Sequence, residues 1–551
     1  MPLPVLYAAL VGGQPYLEFG DILIKLGAEF DQLRALLREA AMLGRIRGKT
    51  ISVPTPQAHA LSLPDDLLEG ILADRLSRLD RLAEPVAVPQ GLEGTLRPYQ
   101  VSGFSWLARL AEARYGGILA DDMGLGKTIQ ILAALAHLKE TEQLAGPVLI
   151  VAPTSVVSTW ANEAARFTPG LTVRTVDATR KKRRIGLAEM AGADIIVTSY
   201  TLLRLEGDEY GDIQWTGLVL DEAQAVKNPR TVGYRAIMSL DREWAFAVTG
   251  TPVENTIGDL AALFALVSPG LLPGSERFAE KFRRPIERTG DPAARALLRK
   301  LTKPFLMRRR KDDVARDLPE KVSTVLTVPM DEAHERRYIK QLERERQEVL
   351  GLIRDPDGNR ISILASLTRL RRLAIDPGLL EARKTPAAKT EVLMEHLQSL
   401  LPSGHQVLVF SQFTSYLARI AEQLEKEKIP YAYLDGATRN RDRAIDSFKS
   451  GQNPVFLISL KAGGVGLTLI EADYVFVMDP WWNPAAEEQA IDRAHRIGQD
   501  KHVHVYRLAS AGTIEEKVLA LQERKRKLAG FIDEGAGSQI SADDIRALLE
   551  A

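Results

Sequence analysis

At 551 residues, with Lys plus Arg (72) equal to Asp plus Glu (72), the chain has room for roughly three or four domains and carries no global field that would draw polyanions. Hydrophobic residues at 45% and charged residues at 26% exclude a disordered or membrane chain, and any nucleic-acid surface must therefore be a local patch. The absence of cysteine excludes disulfides, thiol catalysis and Cys-ligated zinc, and no apolar run reaches membrane-spanning length, so the expectation is a cytoplasmic protein with no membrane partner.

Residues 1–92 begin with a possible strand pair (VLYAAL, PYLEF) and continue into an amphipathic helix around DQLRALLREAAMLGRI, with nothing that carries chemistry. Pro85 and Pro89 read as a linker. Over 93–255, short apolar runs alternate with helical segments: ILA (118–120), VLIVAP (148–153), DIIVTSY (194–200), GLVLDEAQ (217–224) and FAVTGTP (246–252). Continuous apolar strands between helices imply a parallel sheet covered on both faces. A second series spans 386–530, with QVLVFSQF (406–413), YAYLDG (431–436), VFLISL (455–460), YVFVMDP (474–480) and VHVYRL (503–508). The fold class is thus α/β, two tandem parallel-sheet lobes with a small α+β flanking region at the N-terminus. Residues 256–385, charge-rich and mostly helix-like, read as a helical insertion and linker, and 531–551 as a tail.

The stretch GGILADDMGLGKT (116–128) passes from an apolar strand through a glycine-studded turn into TIQILAALAHL, a helical pattern. Gly124 and Gly126 allow successive N–H groups to face one point, to which the helix N-terminus adds partial positive charge. A phosphate suits that point, with Lys127 on the β/γ-phosphates and the Thr128 hydroxyl on Mg²⁺. Asp121 stands where the P-loop pattern has its first glycine. A glycine-rich turn with a surface lysine is the competing reading, and the flanking strand and helix argue against it.

Asp221 and Glu222 end an apolar strand, at the sheet edge where the phosphate loop lies. An oxygen ligand for Mg²⁺ (Asp221) beside a base for water (Glu222) is the chemistry that pair supplies. In QAIDRAHRIGQ (489–499), Arg493 and Arg496 lie three apart, on one face if the segment is helical; spacing alone does not separate phosphate-facing guanidinium groups from surface ion pairs. Basic clusters at 180–184, 308–311, 369–372 and 524–527 are local sources of DNA attraction or solvated faces.

LRPYQ (96–100), DDMGLGKT, VAPTSVVSTW (151–160), DEAQAVKNP (221–229), TGTPVEN (249–255), FLMRRRKDDVARDLPEK (305–321), LVFSQF, LDGAT, SLKAGGVGLTL (459–469), DPWWNP (479–484) and QAIDRAHRIGQ, in this order, resemble the SWI/SNF-type ATPases of helicase superfamily two. The resemblance covers about 95–530 and implies RecA-like lobes. It implies ATP held by Tyr99, Gln100, Asp122, Met123, Gly124, Leu125, Gly126, Lys127, Thr128 and Gly466, with Gln100 on the adenine edge, and catalysis by Lys127, Asp221, Glu222, Arg493 and Arg496. Thr249 and Thr251 would couple nucleotide state to the lobe interface. Pro153, Thr154, Ser155 and Thr198, and Gln412, Phe413, Lys461 and Trp482 in the second lobe, would contact duplex DNA. Thr468 and the pair Asp121–Asp122 depart from the family's usual residues.

The function expected is a double-stranded DNA translocase, a monomeric core in the nucleoid, that hydrolyses ATP and remodels a DNA-bound protein. A nucleotide-switched factor riding on RNA polymerase or a repair complex, and a strand-separating helicase, are the alternatives. No segment is recognisable as a strand-splitting wedge.

Overall fold

The computed structural model describes residues 9–61 (with breaks at 11, 13, 15, 20–21, 27–29 and 48–49), 77–250, 257–315, 318–352, 359–380, 387–463, 467–482 and 484–531. They form two compact units, one built mainly from residues up to Arg310 and the other from Lys311 onward.

At the N-terminus β1 (Tyr16–Phe19) pairs antiparallel with β2 (Ile22–Lys25), and β3 (Arg45–Arg47) with β4 (Thr50–Ser52), around helix α1 (Asp31–Leu43). The expected pairing of VLYAAL with PYLEF is corrected: the partner of Tyr16–Phe19 is the run that follows it, two residues on, a spacing that favours a hairpin. Ala9 and Leu10 are helical, and residues 1–8 lie outside the described residues. Leu43 and Ala60 pack into a cluster with Phe278, Phe282, Leu297 and Leu301, and Gln57 Nε2 donates to the Gly270 carbonyl at 3.0 Å. The flanking region is therefore fastened to segment 270–301 of the same unit.

The first unit's sheet is seven-stranded and parallel throughout. Helix α2 (Pro98–Glu112) precedes β5 (Gly117–Leu119), and α3 (Lys127–Glu140) follows it; then come β6 (Val148–Ala152), β7 (Val173–Val176), β8 (Ile195–Ser199), β9 (Trp215–Asp221), β10 (Arg242–Val248) and β11 (Leu306–Met307). The spatial order is β11-β5-β10-β9-β6-β8-β7. Every residue of β6 and β8 is buried, as continuous apolar runs require when helices cover both faces. The register sets Val248 beside both Leu119 and Asp221, so the carboxyl ends of β5, β10 and β9 lie side by side.

The second unit's sheet is six-stranded and also parallel: β12 (Lys321–Val328), β13 (Val407–Ser411), β14 (Tyr431–Leu434), β15 (Val455–Ser459), β16 (Tyr474–Val477) and β17 (Val503–Ser510), in the order β12-β17-β16-β13-β15-β14. Helices α4 (Glu332–Leu352) and α5 (Arg360–Ile375) pack on each other in the chain segment between β12 and β13, and α6 (Pro484–Ile491) follows β16. All ten strands expected from the apolar runs are present. The segment read as mostly helical adds two more, β11 at the edge of the first sheet and β12 at the edge of the second. Among the described residues no helix is long and apolar enough to cross a membrane.

Candidate active site

Chain reversal after β5 depends on two left-handed glycines, Gly124 at φ +85° and Gly126 at +73°, the latter capping α3. A Cβ on Gly126 would lie 2.4 Å from Gln100 Nε2, so the loop forms a cradle against the Gln100 amide that only glycine leaves open. Gln100 is itself fixed, its Oε1 accepting from the Arg97 N–H at 2.9 Å at the start of α2. Lys127 opens α3 and its Nζ donates back to the carbonyls of Asp121 (2.7 Å) and Asp122 (3.1 Å). Burial pulls the Lys127 ammonium below its ordinary pKa, against the pull of Glu222, Asp121, Asp221 and Asp122.

Across the sheet edge, Asp221 Oδ2 accepts from Trp160 Nε1 at 2.8 Å and Oδ1 from the Glu222 N–H at 2.9 Å. Burial, with the Glu222 charge beside it, raises the Asp221 carboxyl to about 7. Glu222 sits at φ +48°, a left-handed conformation a non-glycine residue adopts at a cost of order 1–3 kcal/mol. From it a chain of contacts runs to Thr249: Gln224 Nε2 donates to Glu222 Oε2 at 2.7 Å, and Thr249 Oγ1 to Gln224 Oε1 at 2.7 Å. The structure thus brings together Lys127, Asp221, Glu222 and Thr249. Thr251 lies outside the described residues, as does Gly466.

In the second unit α6 ends at Ile491, and Arg493 and Arg496 occupy the turns that follow. The expectation of a helix face is corrected: their spacing is set by a folded loop, with Leu469 N donating to the Arg493 carbonyl. Arg493 is only 3% exposed, with Nη1 3.4 Å from the Leu467 carbonyl; Arg496 Nη1 donates to Thr468 Oγ1 at 2.7 Å. Lys311 Nζ braces the same loop through Asp492 Oδ1 and the His495 carbonyl, both at 2.6 Å.

A model of the SNF2-related domain matches residues 99–379, and a model of the helicase conserved C-terminal domain matches 388–498. The chain belongs to the SWI2/SNF2 family of ATPases. It is 36% identical over 469 residues to YwqA of Bacillus subtilis, covering 83% of this chain and 50% of that protein. It is 33% identical over 482 residues to the ISWI chromatin-remodeling complex ATPase ISW2 of Saccharomyces cerevisiae, covering 83% and 43%. Among solved structures it is similar to the Sulfolobus solfataricus SWI2/SNF2 ATPase core in complex with dsDNA, at 32% identity and a TM-score of 0.42, covering 84% of this chain and 99% of that one. The chain spans about half the length of the curated relatives it matches.

Within this SNF2 chain the residues expected at DNA divide. Pro153 and the exposed Thr154 follow β6, Ser155 lies in the same 3₁₀ turn, and Lys461 lies in the short helix Leu460–Gly463 after β15. Two side chains are corrected. Thr198 is fully buried with its hydroxyl on Tyr210 Oη at 2.6 Å, and Phe413 is buried in the second unit's core, so neither offers its side chain to a groove. Thr198 belongs to a strand buried on both faces, and Phe413 lies two residues beyond the end of another, and both side chains end in the core.

Gln412 and the half-buried Trp482 belong to an assembly around Arg371 of α5. That guanidinium, 1% exposed, lies 5.2 Å from the Trp481 and Trp482 rings and 5.4 Å from Phe413, and donates to Gln412 Oε1 and the Pro480 carbonyl, both at 2.6 Å. Its ion partner is Asp479 at 3.3 Å, whose carboxyl burial raises to about 6 despite Arg371. Removing one member of such a pair strands the other's charge, so Arg371→Met is expected to cost about 3–5 kcal/mol of unfolding free energy. Urea unfolding measures it; a loss below about 1 kcal/mol would remove Arg371 from this structural role.

Several members of the basic clusters are held in ion pairs within the chain. Arg183 bridges Glu206 (3.0 Å) and Glu209, and Arg369 grips Glu345 with two bonds of 2.7 and 2.8 Å. In the cluster at 308–311, Arg308 and Arg310 are exposed while Arg309 and Lys311 turn inward. The side chains of the cluster at 524–527 fall outside the described residues. Sequence reasoning missed Trp160, Gln224, Arg309 and Arg371; each lies inside or beside one of the motifs or basic clusters named above, which was the available signal.

Proposed function

We propose that this chain is the ATP-hydrolysing motor of a duplex-DNA translocase that remodels protein–DNA complexes, acting as a monomeric core. The observation that carries the reading is the placement of Lys127 after β5 and of Asp221 and Glu222 at the end of β9, the two parallel strands that flank β10 and end side by side with it, in a chain whose second parallel-sheet unit carries Arg493 and Arg496. Membership of the SWI2/SNF2 family and similarity to a chromatin-remodeling complex ATPase support it.

Gly124–Thr128 offer backbone N–H groups and the Lys127 ammonium to the phosphates, and Gln100 offers its amide to the base. Asp221, whose carboxyl is raised by burial and then by the Glu222 charge, and the Thr128 hydroxyl would supply oxygen ligands, which suits Mg²⁺, a hard cation that keeps waters and needs no all-protein cage. Bound there, Mg²⁺ would neutralise charge on the phosphate oxygens. Glu222, oriented by Gln224, accepts the proton of the attacking water. Because Gln224 also holds Thr249, the base and the turn after β10 share one hydrogen-bonded chain.

The test is the ATPase rate with no nucleic acid, single-stranded DNA, duplex DNA and RNA. Duplex DNA is expected to stimulate most, with affinity falling steeply as salt rises, each phosphate contact adding about −0.9 to the log–log slope. A salt-independent affinity, or RNA as the best activator, would contradict the reading.

A further inference from the structure

We infer that Arg309 is a positioning residue of the ATP site, tying the helix start that carries Tyr99 and Gln100 to the entrance of the phosphate loop at Asp121, with Gly103 leaving the room this tie occupies. The inference rests on the reading of Gly124–Thr128 as the phosphate cradle and Gln100 as the base reader.

Asp121, where a P-loop ordinarily has glycine, is fully buried and faces the Arg309 guanidinium. Arg309 Nε donates to Asp121 Oδ1 at 2.9 Å, and Nη2 reaches Oδ2, giving a two-point carboxylate clamp. Nη2 also donates to Gln130 Oε1 at 2.6 Å, and Gln130 Nε2 returns bonds to Asp121 Oδ2 (3.3 Å) and the Gly126 carbonyl (3.2 Å). The remaining arm, Nη1, donates to the Tyr99 carbonyl, and the guanidinium carbon lies 5.3 Å from the Tyr99 ring centroid. One planar group thus holds the loop's entrance, the first turns of α3 and the residue next to Gln100. Main-chain bonds set its register: β11 pairs with β5, and the Asp122 N–H donates to the Arg309 carbonyl at 3.0 Å.

Space is reserved for this arrangement. A Cβ on Gly103, in the interior of α2, would fall 1.8 Å from Gln130 Oε1 and 2.5 Å from Arg309 Nη2. Glycine inside a helix costs about 1 kcal/mol relative to alanine, so its presence there answers to the network. Lysine could replace the charge of Arg309 but not its three-way fork.

A network of this kind fixes the distance between the base-reading amide and the phosphate cradle, so loosening it should weaken nucleotide binding more than the chemical step. Arg309→Lys and Asp121→Asn are expected to raise the KM for ATP about tenfold or more, with kcat within about threefold, and to lower the preference for ATP over GTP about fivefold. Gly103→Ala, which retains every charge and favours the helix, should raise KM in the same way and serves if either polar variant fails to fold, as judged by its cooperative thermal transition. A purely structural role would lower the melting temperature without moving the base preference. A KM within about twofold of wild type in a folded variant, or a loss confined to kcat, overturns the inference. Lys127→Ala separates the two levels: if it hydrolyses ATP normally, the reading of the cradle fails; if it is inactive while Arg309→Lys keeps its KM, only the positioning role fails.

Discussion

Lys127→Ala is expected to lose both ATP binding and hydrolysis, whereas Glu222→Gln should bind ATP with Mg²⁺ and turn it over about 10²- to 10⁴-fold more slowly or not at all. The two residues act at different points of the same sheet edge. In the proposed role Lys127 supplies the positive charge of the cradle, and its Nζ reaches the carbonyls of Asp121 and Asp122 at the mouth of the loop. Removing it is therefore expected to take away an interaction made with the bound nucleotide before any chemistry. Glu222 lies across the edge, with one oxygen held by the Gln224 amide, and in the proposed role accepts the proton of the attacking water. Glutamine preserves the size and can still accept the bond from Gln224, so the strained turn at φ +48° and its link to Thr249 should persist. Nucleotide titration by calorimetry, paired with steady-state ATPase assays, distinguishes the variants. Equal loss of ATP affinity in both would overturn the division of roles.

The fold was legible because its central strands are continuous apolar runs whose ends carry the motifs, a pattern that buried parallel sheets impose. VLIVA and IIVTS are buried at every position, and each was readable without its neighbours. Three of the four edge strands of the two large sheets, β7, β11 and β12, were not. Leu306–Met307 is two residues long, and Lys321–Val328 is largely exposed, so neither carries a burial pattern that sequence periodicity could reveal. Charge misled for a related reason. A run such as RRRK or RLRR reads as a solvated face, yet Arg309 and Arg371 turn inward because each meets a buried carboxylate 188 and 108 residues away. Nothing local announces such a partner. Likewise Thr198 and Phe413 lie in segments expected at DNA, but only the sheet fixes which side chains turn into the core.

Arg493→Ala and Arg496→Ala are each expected to cut DNA-stimulated turnover by about 10³-fold or more while leaving ATP and DNA affinity largely intact. A guanidinium that meets the γ-phosphate as charge develops lowers the barrier without contributing to ground-state binding, so the loss should fall on kcat and kcat/KM together. Both arginines belong to the unit that lacks Lys127, Asp221 and Glu222. Their expected use at the γ-phosphate requires the two units to act together, and duplex DNA is expected to stimulate hydrolysis by favouring that arrangement. The loop that holds them is braced well enough to present a guanidinium in a fixed place. Lys311 secures it at Asp492 and His495, Arg493 is buried, and Arg496 leans on the Thr468 hydroxyl. That last contact separates the pair further. Thr468→Val removes the acceptor while keeping the shape, so it should lower turnover through Arg496 alone and add nothing to Arg496→Ala. Turnover of each variant with and without saturating duplex is the measurement. A variant that retains the wild-type stimulated rate would make that arginine a structural residue and remove it from the account of how DNA switches on hydrolysis.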